Sequence, residues 1–164
     1  MNRLENVIKE IFKYDNAITL DSEVSEGEIL SLESKLGQSL PTDFKSFLKR
    51  INGLEMFSES IYGIYKNKPG LDLYSNYLWE LEESDNPILP HLLPISPDGF
   101  GNHYCLDLKS LYDNGDYCNV IFWQHDFEYT AEELPDIVTS SFLGFVEEMF
   151  KDIKEHKNYD GTDK

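Results

Sequence analysis

The chain has 164 residues, of which 40% are hydrophobic and 13% aromatic. That is enough apolar material for one compact domain with a core of its own, and it argues against a disordered polypeptide. The net charge is −17, from 31 acidic against 14 basic residues, which argues against direct nucleic-acid binding because phosphate contacts need clustered Lys or Arg. No apolar run approaches the ~18 residues of a membrane span, and Glu5, Lys9 and Glu10 stand where a signal peptide needs an apolar core. With Cys105 and Cys118 as the two cysteines, the expected setting is the reducing cytoplasm, with both thiols free.

The charge is unevenly placed. Residues 1–68 carry 11 acids and 9 bases, residues 151–164 carry 4 of each, and residues 69–150 carry 16 acids against the single base Lys109, a net of −15. An acidic surface serves solubility, and it also steers a basic partner inward.

In chain order, Leu4, Val7, Ile8, Ile11 and Phe12 share one face of an amphipathic helix. Ser25-Glu26-Gly27-Glu28 is a capping box opening a second helix, with Ile29, Leu32 and Leu36 inward and Gly37 as its left-handed stop. A third helix begins with Pro41 in its first turn, buries Phe44, Phe47, Leu48 and Ile51, and ends at Asn52-Gly53. A short strand is predicted at Ile61–Tyr65, followed by a turn at Lys66–Gly70. Tyr74–Glu83 reads as either loop or helix. An extended piece is predicted at His91–Ile95 before the turn Ser96–Gly99. Two more strands, His103–Leu108 and Val120–Trp123, are expected to pair as a hairpin through Asp113-Asn114-Gly115-Asp116. After an acidic loop, a last helix from about Ser140 carries Phe142, Phe145, Val146, Met149, Phe150 and Ile153 on one face. This order of helices, strands and helix predicts a single α+β domain over residues 1–157, with 158–164 as a flexible tail.

Several stretches resemble the SUKH superfamily, which joins a yeast cell-wall assembly regulator to many bacterial immunity proteins. The similarity runs from about Ser25 to Phe150. It rests on Glu28-Ile29, Leu32-Glu33, Leu36-Gly37, Leu40-Pro41, Phe44, Phe47-Leu48 and Asn52-Gly53. It continues through Leu93-Pro94-Ile95, Asp98-Gly99, Gly101-Asn102 and Tyr104–Asp107, then Val120–Trp123 with His125, and Ser141-Phe142 with Phe145. The resemblance implies an α+β fold with a central, mostly antiparallel sheet flanked by N-terminal helices and a C-terminal helix. It also implies neutralisation of a cognate toxin, such as a nuclease or deaminase of a polymorphic or contact-dependent system. The matching residues determine the scaffold and leave the partner open.

No residues assemble into a catalytic, cofactor or metal site. His91, His103, His125 and His156 lack metal-ligand spacing, and the cysteines are too far apart for a C-x-x-C clip. His125-Asp126 invites an acid–base reading, that of a small hydrolase, against the plainer one of a histidine hydrogen-bonded at a strand end. Cys105 lies in an alternating strand, where a free cysteine behaves as a small hydrophobe. Gly99-Phe100-Gly101 leads into a strand rather than a helix, so it makes no phosphate cradle.

What remains is acid interleaved with aromatics. The candidate partner-binding residues are Tyr77, Trp79, Glu82, Glu83 and Asp85, then Asp113 and Asp116, then Asp126, Glu128, Glu132 and Glu133. Tyr and Trp offer contact area at low entropic cost, and carboxylates meet Arg in charge-assisted pairs. The expected partner is a protein toxin with a basic surface, with a regulatory or scaffold role on a cellular partner as the alternative.

Overall fold

The computed structural model describes residues 2–17 and 23–164. Helix α1 (Arg3–Ile11) is capped by the Asn2 side chain, which accepts the Leu4 N–H, and buries Leu4, Ile8 and Ile11. Phe12, expected on the same stripe, is exposed because the helix has already ended there. Helix α2 (Glu26–Leu36) has the full capping box, with Ser25 accepting the Glu28 N–H while the Glu28 carboxylate accepts the Ser25 N–H at 2.9 Å. Gly37 closes it at φ 65°. In α3 (Thr42–Ile51), Pro41 is the cap rather than the first helical residue, since its ψ of 146° is extended. Phe44, Phe47, Leu48 and Ile51 are all buried, as their spacing predicts.

Asn52 turns the chain out of α3 in the left-handed region and remains buried. Its side chain takes both backbone groups of Ile64, accepting the N–H at 2.7 Å and donating to the carbonyl at 3.1 Å. Gly63 has to be glycine, because a Cβ there would lie 2.5 Å from the Asn52 carbonyl oxygen. Between these residues lies a small hairpin, β1 (Leu54–Met56) with β2 (Glu59–Ile61), so the strand predicted at Ile61–Tyr65 sits earlier in the chain and has a partner.

The main sheet is antiparallel, with order β3-β4-β5-β6. Its strands are β3 (Leu92–Pro97), β4 (His103–Asp107), β5 (Val120–Trp123) and β6 (Asp136–Thr139). The predicted β4–β5 pairing forms, with His103 opposite Trp123 and Leu106 opposite Val120. Asp113–Asp116 does not close this hairpin directly; it makes a smaller turn bridged by Tyr112 and Tyr117. Strand β6 emerges within the stretch expected to be acidic loop.

Helix α5 (Phe142–His156) is capped by Ser141 and packs its apolar face on the sheet and on α3. Phe142 meets Phe44 and Phe47 at ring-centroid distances of 4.7 and 4.9 Å, and Phe145 meets Tyr104 at 4.9 Å. Asp43 ties two helix starts together, its carboxylate accepting from Phe44 N at 2.8 Å and Leu143 N at 3.0 Å. Both cysteines are free and buried. After α5, the N–H of Asn158 donates to Thr162 O, and the Tyr159 carbonyl accepts the Asp15 N–H.

Candidate partner-binding face

Helix α4 (Leu73–Leu78) settles the segment that reads equally as loop or helix. Asp72 caps it, its carboxylate accepting the Ser75 N–H and hydroxyl at 2.9 and 2.8 Å. From Trp79 to Glu83 the helix widens into a π turn, closed by the Ser84 N–H on the Trp79 carbonyl at 3.1 Å. Such turns re-aim side chains and recur at functional sites. Here the turn buries Glu80 and leaves Trp79 61% exposed, with Glu82, Glu83 and Asp85 in solvent beside it.

This segment is fastened to the loop after β5. Asn86 donates to the carbonyls of His125 (3.0 Å) and Phe127 (2.8 Å). The tight turn between β3 and β4 joins the same end of the sheet. Asp98 accepts from the Phe100 and Asn102 N–H groups and the Asn102 side chain, while Asn102 Oδ1 meets the His125 N–H and ring Nδ1. Burial acts to raise the Asp98 pKa, but these donors outweigh it and hold the carboxyl below its ordinary value. The turn projects Phe100 into solvent at 83% exposure. Trp79, Phe100 and Phe127 are therefore exposed aromatics on three segments that converge on His125, with Asp126 and Glu128 alongside.

The candidate residues thus divide. Trp79, Glu82, Glu83, Asp85, Asp126, Glu128, Glu132 and Glu133 are exposed, on segments at the Trp123 end of β5. Asp113 and Asp116, also exposed, belong to the opposite end, where Asp116 O accepts the Asp43 N–H at the start of α3. Tyr77 is a correction: at 6% exposure, with its hydroxyl donating to Pro90 O at 3.0 Å, it is core and offers no surface. The α-helical phase that turns Tyr77 inward gives way to the π turn at Trp79. Phe100 and Phe127 escaped the sequence reading, although a bulky Phe between Gly99 and Gly101 is a signal for a side chain presented on a turn. The exposed apolar row of Leu134, Ile137 and Val138 was also missed, having no alternation to mark it.

Beneath this face lies a buried polar chain. Tyr62 Oη and His103 Nε2 are 3.2 Å apart, and His103 Nδ1 is 3.7 Å from Glu80 Oε1. Burial lowers the His103 pKa and raises those of Glu80 and Tyr62. At neutral pH the imidazole is therefore neutral, a structural histidine under the sheet end. The His125-Asp126 couple needed by a hydrolase is not formed: His125 Nδ1 is 2.9 Å from Asn102 Oδ1, and Asp126 makes no hydrogen bond among the described residues. Among the described residues, no group of three or more His, Cys, Asp or Glu could hold a metal ion, and no helix is long and apolar enough to cross a membrane.

An antiparallel four-stranded sheet, backed by a C-terminal helix and preceded by capped helices, defines an α+β protein with a central antiparallel sheet. A solved structure of a protein from Pseudomonas syringae pv. tomato has the same fold, with a TM-score of 0.55, 20% identity, and coverage of 74% of this chain and 83% of that one. Residues 23–148 match the SMI1 / KNR4 family (SUKH-1), and the chain belongs to that family. Among curated proteins it is similar to the SPbeta prophage-derived uncharacterized protein YokK of Bacillus subtilis (strain 168), at 24% identity over 73% of this chain and 71% of that protein.

Proposed function

We propose that this protein is a cytoplasmic immunity protein that binds and neutralises a cognate bacterial toxin with a basic surface. The family is generally one of non-catalytic immunity or regulatory proteins, which supports a binding role. The observation that carries the reading is the exposed π turn that follows α4, whose segment is tied through Asn86 to the His125 loop. There Trp79 stands 61% exposed, and the acids that flank it have no cationic partner among the described residues. Exposed Trp is costly in water and is enriched among the residues that dominate binding energy. Unpaired carboxylates around it supply the field that draws a basic partner in.

The test is association of the full chain with the toxin encoded beside it, followed by stopped-flow kinetics over roughly 50–500 mM salt. Trp79→Ala is expected to cost about 2 kcal/mol or more, roughly 30-fold in Kd. Glu82→Lys with Glu83→Lys should slow association and flatten its salt dependence, whereas reversing Glu5 and Glu10 should leave it unchanged. Salt-insensitive association, or greater harm from the N-terminal reversals, would place the interface elsewhere.

A further inference from the structure

Strand β6 is the outer strand of the main sheet and pairs with β5 alone. At the opposite edge, β3 is partly covered, because the Tyr62 N–H donates to Ile95 O at 2.8 Å. Strand β6 has no such cover: among the described residues the backbones of Ile137 and Val138 bond to nothing beyond β5. Their side chains are also in water, with Ile137 63% and nearby Leu134 67% exposed. An open edge carrying apolar side chains is a template for another strand, and sheets commonly blunt such edges with lysine. Here no Lys or Arg occurs between Lys109 and Lys151.

We propose that β6 is a strand-addition site, at which an extended basic segment of the protein partner pairs with the free edge. This rests on the partner-binding reading above and specifies how part of the partner is held. Charge selects the occupant: residues 126–140 contain five acids (Asp126, Glu128, Glu132, Glu133 and Asp136) and no base. A segment alternating Lys or Arg with apolar residues would lay its apolar side chains on Ile137 and Val138 and a cation against Asp136, with Glu132 and Glu133 just beyond Pro135 adding to the field that draws it in. A second copy of this chain would instead bring like charges together, which is destabilising across a strand pair. Length is restricted as well. Pro135 ends the edge on one side, and Val138 is the extra residue of a bulge, since Val120 faces Thr139 and Ile121 faces Ile137. The edge therefore seats about four residues, or about 13 Å of strand.

The test titrates the full chain with a blocked Lys–Val alternating heptapeptide at low salt and follows amide hydrogen exchange. Exchange at residues 136–139 is expected to slow roughly tenfold or more. An Ala–Lys helical peptide of equal charge and a Glu–Val peptide should give no such protection. Ile137→Lys with Val138→Lys, at solvent-facing positions that leave the melting transition intact, should abolish protection. Glu133→Lys with Asp136→Lys should weaken binding about tenfold and remove its salt dependence. The proposal is overturned by unchanged exchange at millimolar Lys–Val peptide or by equal protection from the helical peptide. A parent dimer that the Ile137/Val138 variant converts to monomer also overturns it, since the occupant is then a second copy. Toxin binding that leaves β6 unprotected sinks strand addition alone. Peptide protection at β6 without toxin neutralisation sinks the immunity reading alone.

Discussion

In the helices before Lys68, carboxylates stand beside cations. Glu5 meets Arg50 at 3.1 Å, Glu33 meets Lys45 at 3.3 Å, Glu26 meets Lys49, and Arg3 reaches forward to Glu147 at 2.5 Å. After Pro69 the pattern reverses. Glu82, Glu83, Asp85, Asp126, Glu128, Glu132, Glu133 and Asp136 have no ion-pair partner among the described residues, and the pairs found from Leu71 to Phe127 use His91 and His103. Exposed pairs such as those on the helices are worth about 0–1 kcal/mol each, so they neutralise the surface more than they stabilise the fold. Eight unpaired acids at one end and edge of the sheet carry a self-repulsion that the helical region avoids. On the reading proposed above, that repulsion is relieved when a basic surface docks.

The two regions differ in charge while sharing one core, and this can be broken most severely at the aromatics. Phe44→Ala in α3 and Trp123→Ala in β5 should each cost about 3–5 kcal/mol, since both side chains are buried. Urea denaturation followed by far-ultraviolet and near-ultraviolet signals should give one coincident transition for each variant. Separate transitions for helices and sheet would mean two cores, and the comparison would then be between two domains.

A smaller effect concerns acid. Burial holds the His103 imidazole below its ordinary pKa of 6.5, so the folded protein resists a proton that the unfolded chain accepts. Its contribution is therefore fully present above pH 6.5 and is lost as pH falls below it. Glu80, facing it, has the opposite sign, because burial raises its pKa above 4.5 and ionisation costs stability as pH rises. His103→Gln should flatten the fall in urea midpoint from pH 6.5 downward, and Glu80→Gln should raise the midpoint at neutral pH. A steeper acid loss in His103→Gln would show that the histidine is stabilised in its charged form.

The smallest expected effect sharpens the contrast directly. Charge reversal at Glu132 and Glu133 should change stability by no more than about 0.5 kcal/mol, or raise it slightly by easing repulsion. Glu5→Lys, which sets a second cation against Arg50, should lower it. Thermal melts of the two variants at low and high salt compare them, and a marked loss from the Glu132/Glu133 reversal would reveal a folded-state role for those acids.

Local signals in the sequence account for much of the fold. The Ser25–Glu28 box, Gly37 and Asn52-Gly53 mark helix ends because capping is decided within four residues, whereas the last helix, expected from about Ser140, starts at Phe142 with Ser141 as its cap. The β4–β5 pairing, expected through the Asp113–Asp116 turn, does form, although that turn closes only the smaller Tyr112–Tyr117 bridge. Strands β1 and β6 were not legible: one is three residues long, and the other is exposed along nearly its whole length, so neither has an alternation to read. The candidate face was half visible. Its acids stand out by composition, but whether Tyr77 or Trp79 faces water depends on where α4 becomes a π turn, which no periodicity in the residues announces. The separation of Asp113 and Asp116 from the other acids is a tertiary fact, set by the length of β5.

The two cysteines give the molecule an internal clock. Cys105 lies at the centre of β4, and Cys118 lies just before β5 with its thiol pushed up to about 12 by burial. Neither forms a reactive thiolate while the sheet is closed. Modification by a thiol reagent thus proceeds only through opening events, and its rate reads how often the sheet breathes. Comparing Cys105→Ala with Cys118→Ala would resolve the middle of the sheet from the approach to β5 with no engineered label.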